Sequence, residues 1–321
     1  MSFSPTSPFW ISDQRTGVST LYNGQGGPQP PPTPLIVTIP PSGPTGQVFN
    51  STPDFIEPNG SAARFIFATT AGTLDAWNPA DGTTASVVAT QPSSAYTGLT
   101  LGTAASGNVL YAANFRAARI DVFSSTFLPV TLAGTFIDPT LPSGFAPYNI
   151  ENVNGKLYVA YAKVNPANGR AMQDAGGFVS VFDVNGNFQQ RLASNGPLNA
   201  PWGIALAPPT FGDFSGALLV GNFAHGDINA FNPATGAFLG AITDSSGKPI
   251  QNDGLWSLRF RTSGTGVTPN ALYFTAGINQ EANGLFGSIQ PVPEPSTALL
   301  AGLGLCGAIV YRARQSRPYV I

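Results

Sequence analysis

Charge is scarce in this chain. Only 9% of its 321 residues are Asp, Glu, Lys or Arg, against roughly 25% in ordinary soluble domains. The 14 basic and 16 acidic residues leave a net charge of -2, so the concentrated basic face with which proteins bind a phosphate backbone is missing. Nucleic acid is therefore not an expected partner.

Cysteine and histidine are almost absent, with one residue each, Cys306 and His225. A disulfide framework and a thiolate metal site both require several cysteines, so the sequence predicts neither. A Ser-His-Asp mechanism would depend on His225 alone, and no GxSxG nucleophile elbow accompanies it. The sequence favours a protein that is not an enzyme and that has no resident cofactor.

Glycine and proline are abundant, at 37 and 30 residues, and 22 Phe supply apolar surface for a core. This composition is typical of short strands joined by many turns. An aromatic residue ends a predicted strand at a spacing of about fifty residues, the period expected of propeller blades. The five such residues are Tyr22, Trp77, Phe123, Phe182 and Phe231. The turns Asn78–Gly82 and Asn232–Gly236 then repeat one design, with Pro and Gly supplying the required backbone angles.

Six units of short strands follow from this pattern. Four-strand units are predicted at 44–89, 96–136, 146–193 and 202–243, with Pro129 to Phe136 as the fourth strand of the 96–136 unit. Three-strand units are predicted at 9–39 and 255–289. The predicted fold is all-β, a six-bladed β-propeller over residues 1–290. The first unit lacks its first strand and no signal peptide opens the chain, so we expect the natural chain to extend upstream of Met1.

The tail, residues 291–321, has a different character. An apolar run at about 298–311 is predicted to form a short membrane helix, and the cluster Arg312, Arg314 and Arg317 follows it. Positive residues directly after an apolar segment favour a cytoplasmic end. The propeller would then lie outside the membrane.

The motif Val292-Pro293-Glu294-Pro295, the apolar helix and the Arg cluster together resemble the PEP-CTERM sorting signal of bacterial envelope and biofilm proteins. The resemblance implies that an exosortase-type protease recognises Pro293, Glu294 and Pro295 and removes the tail. It also implies an exported protein of the cell envelope or extracellular matrix. The blades resemble an uncharacterised family of such proteins with an NHL/lactonase-like propeller, through residues 9–13, 110–115, 202–205 and 273–287.

Loops at one face of the propeller are the predicted ligand site, because loops on a rigid scaffold often carry function. The candidate residues are Asn114, Arg116, Asn149, Trp202, Asn222, His225, Asp253 and Trp256. The expected ligand is an extracellular polysaccharide or an envelope protein. In the alternative interpretation, Asn114 and Asn222 cap strand ends and the Trp residues pack between blades.

A second hypothesis is a divalent-metal-dependent hydrolase that resembles the propeller lactonases. Ca²⁺ takes oxygen ligands, and the carboxylates available near the expected face are Asp13, Asp227 and Asp253. Their spacing does not show convergence. The sequence therefore predicts an exported binding or scaffold protein, with the hydrolase as the alternative.

Overall fold

The computed structural model describes residues 1–291, which form 21 strands in six antiparallel sheets. Residues 1–290 constitute one compact unit. Within the described residues, no helix has the length and apolar character needed to cross a membrane. The predicted membrane helix at 298–311, the Pro293-Glu294-Pro295 motif and the Arg312, Arg314 and Arg317 cluster lie outside the described residues.

Each sheet is a meander of strands that are consecutive in the chain. Sheet 1 contains β1 (Phe9–Asp13), β2 (Val18–Tyr22) and β3 (Ile36–Thr38). Sheet 2 contains β4 (Pro44–Phe49), β5 (Phe65–Thr69), β6 (Thr73–Trp77) and β7 (Ser86–Thr90). Sheet 3 contains β8 (Tyr96–Ala104), β9 (Gly107–Asn114) and β10 (Arg119–Ser124).

The later sheets follow the same order. Sheet 4 contains β11 (Phe145–Val153), β12 (Lys156–Lys163), β13 (Phe178–Asp183) and β14 (Phe188–Ser194). Sheet 5 contains β15 (Pro201–Leu206), β16 (Leu218–Asn222), β17 (Ile228–Phe231) and β18 (Phe238–Ala241). Sheet 6 contains β19 (Leu255–Phe260), β20 (Leu272–Gly277), the short α1 (Ile278–Glu281) and β21 (Asn283–Ile289). The all-β prediction is confirmed, and six sheets occupy the six predicted units.

The middle strands are apolar on both faces. Side chains alternate between the two faces of a strand, and in β5 Phe65 and Phe67 pack against sheet 1 while Ile66 and Ala68 pack against sheet 3. Separate apolar clusters fill the spaces between sheets 3 and 4, sheets 4 and 5, and sheets 5 and 6. Each sheet therefore packs face to face with the next.

The last sheet also packs against the first. Phe9 of β1 lies 4.6 Å from Tyr273 of β20 and 5.2 Å from Phe286 of β21, measured between ring centroids. Glu151 of sheet 4 and Arg259 of sheet 6 form an ion pair with an Oε2–Nη2 distance of 2.9 Å. These two residues belong to the first strands of sheets that are not neighbours. The first strands of sheets 4 and 6 are therefore close to each other.

Strand β1 occupies the second position of its sheet. In sheets 2 to 5 the second strand contacts the first strand of the next sheet, as β5 contacts β8 and β16 contacts β19, and β1 contacts β4 in the same way. On its other edge β1 has one recorded bridge, between Trp10 and Ser2. No strand among residues 1–291 takes the first position of sheet 1, as the sequence pattern predicted.

The prediction of a fourth strand at Pro129 to Phe136 is wrong. Pairing with β10 ends after the Phe123–Pro129 bridge and the hydrogen bond from Val130 N–H to Val122 O. The segment then turns toward sheet 4, where Gly134 N–H donates to Asn185 O and Phe136 N–H donates to Gly186 O. A Cβ on Gly134 would lie 2.1 Å from the Gly186 carbonyl carbon. Gly134 therefore permits this close contact between two backbones.

Candidate functional site

The connections between second and third strands lie at the same end of each sheet, and we call this end of the molecule the mouth. In an antiparallel meander successive connections alternate between the two ends of the strands, so these loops share an end. They are residues 14–17, 70–72, 115–118, 164–177, 223–227 and 278–282. The candidate residues Arg116 and His225 lie in these loops and are exposed.

Five aromatic residues from sheets 3 to 6 form one cluster at the mouth, here called the mouth cluster: Phe115, Tyr148, Trp202, Phe223 and Trp256. Ring centroids are 4.5 Å apart for Phe223 and Trp256 and 5.4 Å apart for Trp202 and Trp256, the latter pair edge to face. The Trp202 indole N–H donates to Thr97 O at 2.8 Å, which links sheet 5 to sheet 3. The structure thus brings the candidates Trp202 and Trp256 into direct contact.

A cavity of about 470 Å³ adjoins the mouth cluster, between sheets 6 and 1. Trp202 and Trp256 line it together with the edge of β1 and the turn that follows β1. Its polar lining includes Asp13, Gln14, Arg15, Thr45, Glu281 and Asn283. An apolar aromatic wall with a few polar groups is the usual composition of a small-molecule site.

The loop 278–282 at the rim of this cavity has an unusual backbone. Asn279, Gln280 and Glu281 have positive φ values of 53°, 56° and 62°, a left-handed conformation that costs free energy in residues with a Cβ. Such residues concentrate at ligand-binding loops and switches. Glu281 and Asn283 were not among the candidates, and the only signal in the sequence was their position between predicted strands.

The amides of Asn114 and Asn222 are fully buried and bonded within the protein. The Asn114 Oδ1 accepts from Ala95 N–H, and its Nδ2 donates to Ser94 Oγ at 2.9 Å and to Asp121 Oδ2 at 2.7 Å. The Asn222 Oδ1 accepts from Asn199 N–H at 2.8 Å, and its Nδ2 donates to Pro197 O at 2.7 Å. Each amide therefore joins a strand end to the connection between two sheets. A ligand-binding role for these residues stays a prediction.

These asparagines belong to a polar arrangement that recurs in three sheets. The first member is the last residue of the second strand. The second is the residue opposite it, near the start of the third strand, and the third member follows two positions later. In sheets 2, 3 and 5 they are Thr69, Thr73 and Asp75; Asn114, Arg119 and Asp121; and Asn222, Asp227 and Asn229. In sheet 5 the Asn229 amide donates to Asp227 at 2.6 Å. The weak metal candidate Asp227 is thus part of this arrangement.

The remaining candidates lie in different surroundings. The Asn149 amide is buried and donates to Trp202 O at 2.7 Å. The His225 imidazole contacts Asp174 at 2.6 Å, and this contact, followed by a hydrogen bond from Asn199, lowers the pKa of the exposed Asp174 carboxyl. Asp253 is exposed and does not line the cavity.

Of the three carboxylates proposed for a metal, only Asp13 lines the cavity. Its Oδ1 accepts from the backbone of Arg15 at 3.2 Å, which stabilises its own turn. In the described part of the chain, no group of three or more His, Cys, Asp or Glu side chains could hold a metal ion. The structure does not bring Asp13, Asp227 and Asp253 into one such group.

The PEP-CTERM protein-sorting motif matches residues 291–315. This confirms the resemblance seen in the sequence. The motif indicates export, processing by an exosortase-type protease and C-terminal anchoring in the envelope.

Proteins of known sequence and structure are also similar to this chain. An uncharacterized protein of Acanthamoeba polyphaga mimivirus is 34% identical over 261 residues, which cover 77% of this chain and 62% of that protein. The chain thus spans less than two thirds of the length of this relative. A solved structure of a putative gluconolactonase aligns with a TM-score of 0.48 and 15% identity, over 77% of this chain and 78% of that chain.

A second uncharacterized protein of the same virus is 31% identical over 264 residues, which cover 78% of this chain and 68% of that protein. At this identity and coverage, the chain belongs to the same family as that uncharacterized mimivirus protein.

Proposed function

We propose that this chain is an exported six-bladed β-propeller of the cell envelope or extracellular matrix, and that its mouth cavity binds a polysaccharide. The sorting motif supports the location. Six sheets with apolar clusters between neighbours, and the contact of Phe9 with Tyr273, support the closed ring. The binding role is non-enzymatic.

The observation that carries the binding proposal is the position of Trp256. Its ring is half-buried, packs on Phe223 and Trp202, and lines the cavity of about 470 Å³. The apolar C–H face of a sugar ring stacks on such a surface, because tryptophan offers a large rigid aromatic area. The hydroxyl groups of the same sugar require donors and acceptors around the ring.

The cavity supplies those groups. Asp13 and Glu281 are acceptors when ionised, Arg15 is a donor, and Asn283 can do both. The Thr45 hydroxyl donates to Tyr96 O at 2.8 Å and keeps only its acceptor capacity for a ligand. Charges of both signs occur, so the lining does not select strongly for a polyanion or a polycation. The expected ligand is accordingly a neutral or weakly charged polysaccharide.

Affinity electrophoresis of the full-length protein through gels that contain named polysaccharides tests this proposal. Suitable probes are a neutral glucan, a neutral mannan and the polyuronide alginate. We expect retardation by a neutral polysaccharide, and we expect Trp256→Ala to weaken it at least tenfold. Trp256→Phe should keep part of the affinity because it retains an aromatic face.

Phe238→Ala is the matched control, since Phe238 is also aromatic, is 51% exposed and lies on the last strand of sheet 5 rather than at the mouth. It should bind like the unsubstituted protein. Equal retardation of the Trp256→Ala and unsubstituted proteins, or no retardation by any probe, would contradict the proposal. Thermal unfolding of each variant verifies that the fold is retained.

A further inference from the structure

Two turns of sheet 2 face each other on the end of the ring opposite the mouth. One is residues 57–61, in the connection between β4 and β5, and the other is residues 78–82, a short 3₁₀ turn between β6 and β7. The Asn59 Nδ2 donates to Asp81 Oδ1 at 2.8 Å, and the Asn78 Nδ2 donates to Glu57 Oε1 at 2.7 Å. Two carboxylates and two amides therefore converge between the turns.

Glu57 is the unusual member of this group. It is 3% exposed, and its Oε2 has no hydrogen-bond partner within the described residues. The Asp81 carboxyl adjoins it directly. Among residues 1–291, neither carboxylate forms an ion pair with Arg, Lys or His.

A buried carboxylate without a counter-charge is unfavourable when ionised, or it takes up a proton. A bound cation would offset the same cost without a proton. The unpartnered Oε2 leaves an acceptor oxygen available for that cation.

The acceptor atoms that converge here are oxygens, which are the ligands of hard cations. Both Asp81 oxygens also accept hydrogen bonds, Oδ1 from Asn59 Nδ2 and Oδ2 from Asn78 N–H. Besides the carboxylates, the Asn59 Oδ1 lies between the turns, where it accepts from Ser61 N–H at 2.9 Å and from Asn78 Nδ2 at 3.2 Å. Backbone carbonyls and water complete the shell of Ca²⁺ in many proteins. Thiolate and imidazole ligands are absent from these two turns, so a softer metal is disfavoured.

We propose that Glu57, Asp81 and Asn59 form a Ca²⁺ site that links the 57–61 turn to the 78–82 turn. The site is separate from the mouth and does not depend on the proposed polysaccharide binding. With two carboxylates its affinity falls in the range of extracellular Ca²⁺ modules, with a Kd of about 10⁻⁴ to 10⁻³ M. The bound ion stabilises the outer part of sheet 2.

Terbium luminescence tests the site, because Tb³⁺ occupies Ca²⁺ sites and is excited by energy transfer from a nearby tryptophan. Trp77 directly precedes Asn78, and its indole N–H donates to Gly82 O at 2.9 Å. The full-length protein should therefore give saturable Tb³⁺ emission on tryptophan excitation. Ca²⁺ at millimolar concentration should displace it.

Glu57→Gln keeps the size of the side chain and removes its charge. We expect it to weaken Tb³⁺ and Ca²⁺ binding at least tenfold and to abolish the rise in melting temperature that Ca²⁺ causes. Asn59→Ala changes an exposed side chain, so it should fold even if Glu57→Gln does not, and it should weaken binding several-fold.

Asp13→Asn is the matched control, since Asp13 lies in the mouth cavity beside Trp256. It should leave Tb³⁺ emission unchanged. Emission that is absent, that Ca²⁺ does not displace, or that survives both Glu57→Gln and Asn59→Ala would overturn the proposal. Emission lost in Asp13→Asn would assign the cation to the mouth instead.

Discussion

Sheets 2 and 3 each have an aspartate at the same position of the third strand, but the two carboxylates differ in their hydrogen-bond partners. Asp75 and Asp121 each lie two residues before an aromatic residue near the end of the strand, Trp77 in β6 and Phe123 in β10. The Asp121 carboxylate accepts from Arg119 at 2.5 Å, from Asn114 Nδ2 at 2.7 Å and from the Tyr96 hydroxyl at 3.0 Å. Asp75 accepts from the Thr73 hydroxyl at 2.8 Å, and its Oδ1 has no partner within residues 1–291.

The difference arises from two neighbouring positions. Sheet 3 has Asn114 and Arg119 where sheet 2 has Thr69 and Thr73. A threonine hydroxyl has one donor, whereas an amide has two and a guanidinium has five. Burial raises the pKa of Asp75 to about 7, although the Thr73 hydroxyl partly opposes the shift. The repeated backbone therefore determines where the carboxylate lies. The neighbouring side chains determine the free energy needed to ionise it.

The largest expected effect is a pH dependence of stability that originates from Asp75. Its pKa is about 7 in the folded protein against a reference of 3.8. Between these pH values Asp75 is ionised in the unfolded chain but still protonated in the folded protein. The free energy of unfolding therefore falls as pH rises from about 4 to about 7 and is constant above. The total change is on the order of 4 kcal/mol as an upper limit.

Urea unfolding of the unsubstituted protein and of Asp75→Asn at several pH values measures this effect. Asparagine does not titrate, so the difference in unfolding free energy between the two proteins should change across this window in favour of Asp75→Asn. A constant difference from pH 4 to pH 8 would show that Asp75 is ionised throughout.

A smaller effect is expected from removing the two carboxylates at a fixed pH near 7. Asp121→Ala leaves one of the two N–H groups of the Asn114 amide and the Tyr96 hydroxyl without an acceptor, and each unsatisfied buried donor costs about 1–3 kcal/mol. We expect a loss of about 2–4 kcal/mol in unfolding free energy. Asp75→Ala should cost clearly less, because only the Thr73 hydroxyl loses an acceptor. Equal losses in the two variants would show that the Asp75 and Asp121 carboxylates contribute equally to stability, against this expectation.

The smallest effect is expected for Arg119→Gln. The Arg119 side chain is 64% exposed, so its ion pair with Asp121 is screened by solvent. Exposed pairs contribute about 0.2–1 kcal/mol and weaken in salt. The difference in unfolding free energy from the unsubstituted protein should lie in this range and shrink at high salt concentration. A loss as large as that of Asp121→Ala would make Arg119 the main partner of that carboxylate.

Much of the fold could be predicted from local patterns. Tyr22, Trp77, Phe123, Phe182 and Phe231 marked the third strands because strand ends and turns are encoded by neighbouring residues. The fourth strand of sheet 3 could not be excluded in this way. The contact of Gly134 with Gly186 joins residues that are distant in sequence, and no local pattern encodes it.

The candidate site was predicted less completely. Trp202 and Trp256 could be proposed because they lie near first strands, and the structure brings them together at the mouth. Their partners Tyr148 and Phe223 were missed because aromatic residues are common throughout the chain. The convergence of Glu57 with Asp81 was also missed, since the two turns are separated by a complete hairpin.

The sequence by itself determined the all-β class, the six units and the sorting motif, because each depends on the order and spacing of residues within short segments. Only the tertiary structure decided which side chains share an environment. Asp75 and Asp121 occupy equivalent positions in two repeats, yet the partners available to each carboxylate come from the elements packed around it. Solvation and charge are properties of that packing, which the local sequence does not contain.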